Sequence, residues 1–259
     1  MRKLLLVGLM MLGLAVLPAP PAQAAPEKAE IVRILGEIHT LPGMRDSLER
    51  NGFTGENLEL AVRQIGIMLG DRQIANHIAE RILAAGRGDF VNAQAAQGLI
   101  QPLLSRGMGH LSERELGYFY QVETTVLKAM TKRDCGLSFR NRLPPDELAR
   151  RTAKVAARLN APALKEYYRI QYKAAKLGVT RGPKVLSDAL RERVATRLNV
   201  ALNEAAEATP EGRAAMKAFA RLESVGNPAA CDAGLFFMDV VMNMDAAARH
   251  ETFLVLSEQ

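Results

Sequence analysis

Leu58, Ala61, Val62, Ile65, Met68 and Leu69 recur three and four positions apart, the spacing that gathers side chains on one face of an α-helix. Thr54 stands where an N-cap belongs. Gly70 and Asp71 predict a stop and a restart. Ile74, Ile78 and Ile82 then form the next buried stripe, closed by Gly86. A further helix is expected from about Asp89 to Pro102. Ser112 and Glu115 have capping-box spacing ahead of the run that reaches Met130. Later helices are predicted from the "LPPD" stretch to Asn160, from Pro162 to Gly178 and from Pro183 to about Ala208. Shorter ones follow from Pro210 to about Glu223, from Ala230 to Met244, and at the C-terminal end. No run alternates strictly and no Asn-Gly hairpin turn occurs. The pattern therefore predicts an all-α protein, an irregular multi-helix bundle of about nine or ten helices.

One stretch breaks the period. "TKRDCGLSFRNRLPPD", from Thr131 to Asp146, lacks a helical stripe, and its paired prolines disfavour helix just before them. It sets the expected boundary between an N-terminal helical half (25–131) and a C-terminal half (132–259) packed on it. Residues 1–24 have a different character. Arg2 and Lys3 precede an uncharged apolar run from Leu4 to Val16, prolines follow, and Ala22-Gln23-Ala24 fits a small-x-small cleavage site. A membrane span needs about 20 apolar residues, so the expectation is a cleaved signal peptide and a periplasmic or secreted protein.

Export gives the two cysteines their meaning. In an oxidising compartment Cys135 and Cys231 are expected to form one disulfide. Each is followed closely by Gly-Leu-x-Phe (Gly136 to Phe139, Gly234 to Phe237), a likeness too short to establish an internal repeat.

Charge is unevenly spread. Residues 25–131 carry 11 Lys and Arg against 13 Asp and Glu, residues 132–197 carry 17 against 6, and residues 198–259 carry 4 against 9. Helical spacing concentrates the basic middle. Arg150, Lys154 and Arg158 form one stripe, and Lys165, Arg169, Lys173 and Lys176 a second, with Tyr168 interleaved. Like charges four residues apart cost a few tenths of a kcal/mol per pair. Two readings account for that cost: solvated faces offset by the acidic outer segments, or a site for an anionic partner. The basic helices are the expected binding surface, for an acidic protein or an anionic envelope component, peripheral contact with a lipid surface included. Nucleic acid does not suit the compartment. Tryptophan is absent and aromatics are 5% of residues, which argues against base- or sugar-stacking platforms.

Catalytic chemistry is sparsely signalled. On the helical wheel Glu123 falls within the apolar arc of Leu116, Phe119, Tyr120, Val126, Leu127 and Met130. A buried carboxyl with a raised pKa suits a general acid, which makes Glu123 the candidate of an alternative reading as an envelope hydrolase. A structural ion pair is the ordinary account of such a residue. Asp232, Asp239 and Asn243 share a narrow polar stripe on an otherwise apolar helix. No HExxH, CxxCH, GxSxG or phosphate-binding Gly-rich loop is present, so no metal and no cofactor is expected. Eleven methionines, clustered in part at Met238, Met242 and Met244, admit a third reading as a carrier of an apolar ligand.

Overall fold

The computed structural model describes residues 27–85 and 93–258. The expected signal segment, Gly86 and Asp89 lie outside these. Among the described residues the chain is all-helical, with no strand. In chain order the helices are α1 (Lys28–Glu37), α2 (Pro42–Arg50), α3 (Gly55–Gly70), α4 (Arg72–Ala85), α5 (Ala93–Met108), α6 (Glu113–Ala129), α7 (Lys132–Phe139), α8 (Pro145–Ala156), α9 (Ala161–Thr180), α10 (Asp188–Ala208), α11 (Pro210–Phe219), α12 (Asn227–Asn243) and α13 (Ala246–Ser257). The thirteen helices exceed the nine or ten expected because the periodicity misses α1, α2 and α7. Each of these is ten residues or fewer. A helix that short is marginal alone and is held by what it packs against.

Local chemistry sets most helix starts. Ser112 and Glu115 form the predicted capping box, each side chain bonding the other residue's backbone N–H. Thr131, Asn160, Ser187, Thr209 and Asp245 cap α7, α9, α10, α11 and α13 through their side-chain oxygens. Thr54 occupies the N-cap position of α3 but makes no capping bond. Two expected stops do not stop their helices. Pro102 lies inside α5, where buried Leu103, Leu104 and Met108 hold the turn beyond it. Gly178 lies inside α9, where its missing side chain serves packing instead.

The helices gather into two compact units, each built from separated pieces of chain. One comprises, of the described residues, 27–107 and 153–183. Its core takes Ile31 and Leu35 from α1, Met68 and Leu69 from α3, Ile74 and Ile78 from α4, and Leu164 and Ile170 from α9. α5 and α9 cross at near backbone contact. A β-carbon on Gly107 would sit 2.6 Å from the Ala174 carbonyl carbon and 2.7 Å from the Gly178 nitrogen.

The other unit comprises residues 108–152 and 184–258. Cys135 of α7 and Cys231 of α12 are joined at an S–S distance of 2.01 Å, as expected, with their Cα atoms 5.1 Å apart. The paired Gly-Leu-x-Phe stretches belong to this same junction. A β-carbon on Gly136 would run into the Asn227 backbone, and one on Gly234 into the Phe139 ring. The two glycines thus let α7 and α12 approach closely, and Phe237 of the second stretch stacks on Phe219 with centroids 5.3 Å apart. Two residues beyond the end of the short helix α7, Asn141 has a φ of 53°, the left-handed conformation that asparagine tolerates.

Ion pairs within this unit show how much of the basic middle is neutralised. Arg191 pairs with Asp188 and Glu258, and Arg193 and Arg197 share Glu251. The acidic C-terminal segment therefore offsets the arginines of α10. Asp232 and Asp239, the polar stripe of α12, pair with Lys132 and Lys128.

Candidate functional site

Within the first unit, α3 and α9 pack side by side and leave an open groove of about 480 Å³ along their outer edge. Leu60, Arg63 and Ile67 line it from α3, at the i, i+3, i+7 spacing of a second stripe beside the buried face. Pro162, Lys165, Glu166, Arg169 and Tyr172 line it from α9. Gln64 and Tyr168 lie deep between the helices, 5% exposed each. Gln64 Nε2 donates to the Tyr168 carbonyl oxygen at 2.9 Å, which ties the two helices together beneath the groove. Burial pushes the Tyr168 hydroxyl pKa up, so the residue presents a neutral ring.

Tyr172 is held by a polar node at the α3–α4 corner. The Asp71 carboxylate accepts from the backbone N–H groups of Gln73 and Ile74 at 2.9 and 3.1 Å, and so caps α4. It also accepts from the Tyr172 hydroxyl at 2.9 Å and from Lys176 Nζ at 2.5 Å. Burial works to raise its pKa. The hydrogen bonds from Lys176, Ile74, Tyr172 and Gln73 outweigh that and hold it below the ordinary carboxylate value. The stabilisation is thus complete above the ordinary value and is lost as pH falls through the lowered one. Asp71→Asn is expected to cost about 2 kcal/mol at neutral pH, the scale of hydrogen bonds to a charged group. The gap from the parent protein should narrow as pH drops below about 4. Denaturant unfolding across that range measures both. A gap that stays constant down to low pH would show that the charge contributes nothing.

The cations of the groove fall into two kinds. Arg169 is engaged bidentately with Glu166, Nε to Oε2 at 2.8 Å and the terminal nitrogen to Oε1 at 2.9 Å. Arg63 and Lys165 make no ion pair among the described residues; the charge of Arg63 acts on Glu59, which is itself paired with Arg45. Arg63 and Lys165 stand on opposite walls, one on α3 and one on α9, and Ile67, the last residue of the α3 edge, is 46% exposed.

The structure sorts the residues expected to bind. Lys165, Tyr168 and Arg169 line the groove; Arg150, Lys154, Arg158, Lys173 and Lys176 do not. Arg150 belongs to the other unit and pairs with Glu147 on its own helix. Lys176 is committed to Asp71. The α3 wall was missed by sequence reasoning. Its signal was present as Leu60 and Ile67, two apolar residues off the main stripe with Arg63 between them. Glu123 is elsewhere, on α6 in the other unit and 1% exposed. Burial pushes the pKa of neighbouring Tyr120 up, and the negative charge of Glu123 adds to the shift.

Among the described residues no group of three or more His, Cys, Asp or Glu is placed to hold a metal ion, and no helix is long and apolar enough to cross a membrane. An all-α protein with a cation-flanked apolar groove between two helices is what the fold and this site define. Comparison of the chain with protein-family models, with curated proteins and with solved structures finds no match.

Proposed function

We propose that this chain is an exported helical binding protein that takes an anionic partner, an acidic protein or an anionic envelope component, at the α3–α9 groove. One observation carries the reading. Arg63 and Lys165 face an apolar groove from its two walls and have no ion pair among the described residues, whereas most arginines of α10 and α8 are already neutralised. Apolar floor supplies contact area, and cations without an ion pair at its rim supply sign and steering. The cysteine pair is compatible with export.

The test uses defined anionic probes. Polyglutamate and vesicles containing anionic phospholipid should retain the protein at low salt, and polylysine and neutral vesicles should not. Retention should fall as ionic strength shortens the screening length from about 30 Å at 0.01 M to about 10 Å at 0.1 M. Arg63→Glu with Lys165→Glu should weaken it by tenfold or more, since two attractive rim charges become repulsive. Both positions are on the surface, so the fold should be unaffected. Retention that ignores both salt and the double reversal would refute the reading.

A further inference from the structure

From the shape of the same groove we infer that its occupant is an amphipathic α-helix of an acidic partner protein. This rests on the anionic-partner reading and sharpens it. The α9 wall runs from Pro162 to Tyr172, about 15 Å at the helical rise, and the α3 wall from Leu60 to Ile67, about 10 Å. Two helices side by side offer a third the same kind of surface they offer each other: side chains at i, i+3 and i+7, here Leu60, Arg63 and Ile67, on a face about two to three turns long. A partner helix seated there would set its apolar stripe against Leu60, Ile67, Pro162 and the Tyr168 and Tyr172 rings. Acidic residues flanking that stripe on its two sides would meet Arg63 on one wall and Lys165 on the other. Cations on both walls suit a ligand that is acidic along both edges, which a helix with carboxylates on either side of one apolar face provides.

The openness of the groove decides between occupants. A single acyl chain lying in it would keep one side in water, and that exposed surface forfeits its share of the transfer free energy. A helix covers the apolar floor with one face and turns a polar face outward, so nothing apolar stays wet. An extended acidic segment would satisfy the cations but present alternating side chains, with only every second one toward the floor.

The experiment compares three labelled peptides of the same length by fluorescence anisotropy, at fixed low salt. The first has leucines at i, i+3, i+7 and i+10 flanked by glutamates. The second replaces those glutamates with lysines. The third keeps the acidic composition but carries a central proline, which breaks the helix. The expected result is saturable binding of the first, with the second and third each at least tenfold weaker. Ile67→Ser should weaken the first peptide by about tenfold, and Arg63→Glu with Lys165→Glu by more. Because Ile67 is already 46% exposed, its replacement should leave the fold intact, as circular dichroism would verify.

Other outcomes overturn the inference in distinguishable ways. Equal binding of the helical and proline-broken acidic peptides would mean that charge alone is recognised; the helix falls and the anionic-partner reading stands. Binding of oleate or anionic vesicles that is sensitive to Ile67→Ser, with no peptide bound, would assign the groove to a lipid and again leave only the broader reading. Binding of no anionic probe would remove both.

Discussion

Alanine at both Cys135 and Cys231 is expected to cost about 4 to 5 kcal/mol, because the cross-link closes a loop whose ends are 96 residues apart and so restricts the unfolded chain. For a chain of this size that is a fall in melting temperature of roughly 10 to 15 °C. Alanine is the informative replacement. The two cysteines are 0% and 1% exposed, so serine would bury an extra hydroxyl and mix a desolvation cost into the result. The chain-entropy account makes a second demand. The effect lies in the unfolded state, so the uncross-linked protein should expose more surface on unfolding and show a larger denaturant slope. Reduced parent protein should match the double variant in both midpoint and slope. Equal midpoints for oxidised and reduced protein would mean that the close seating of α7 on α12, through Gly136 and Gly234, holds this junction without the covalent bond.

Gly107→Ala should be the most damaging single methyl addition in the other unit. The new β-carbon would lie 2.6 Å from the Ala174 carbonyl carbon, inside the backbone of α9, and no side-chain rotation can relieve a clash with backbone. α5 and α9 would have to separate where residues 103–107 cross residues 174–178. The expected loss is about 3 kcal/mol, at the upper end for overpacking. Gly178→Ala should behave alike, since the two glycines form one crossing. Gly117, in the middle of α6, is the internal comparison. Nothing lies within 4 Å of its would-be β-carbon, so Gly117→Ala should stabilise by about 0.5 to 1 kcal/mol through helix propensity alone. Chemical denaturation of the three variants should therefore give opposite signs. A neutral Gly107→Ala would show that the helices cross with more room than the structure has.

How far the sequence leads depends on length and on what partners a residue. The long amphipathic helices α3, α4, α6, α9 and α10 declare themselves through repeated apolar spacing, and the Ser112–Glu115 spacing marks the start of α6. α1 and α2 bury only Ile31 and Leu35, and Met44 and Leu48 among their large apolar residues, a single i, i+4 pair each, too little to stand out as a period. α7 is shorter still, and its place is fixed by a disulfide and a glycine contact with α12, a helix about a hundred residues away in sequence. The basic middle was visible as composition, yet which cations remain unengaged was not. Arg191, Arg193 and Arg197 find Glu251 and Glu258 only through tertiary packing. Lys165 and Arg169 look equivalent on a helical wheel, but Arg169 is engaged with Glu166 three residues before it. The α3 wall of the groove escaped because Leu60 and Ile67 read as strays until α9 is set beside them.

The most direct test of the binding account is hydrogen exchange of the protein with and without the acidic helical peptide. Slower exchange is predicted in α3 from Leu60 to Ile67 and in α9 from Pro162 to Tyr172, and the effect should vanish in the Arg63→Glu, Lys165→Glu variant. Peptide binding that leaves both segments unchanged, and slows exchange instead on α8 or α10, would place the site elsewhere and contradict the account.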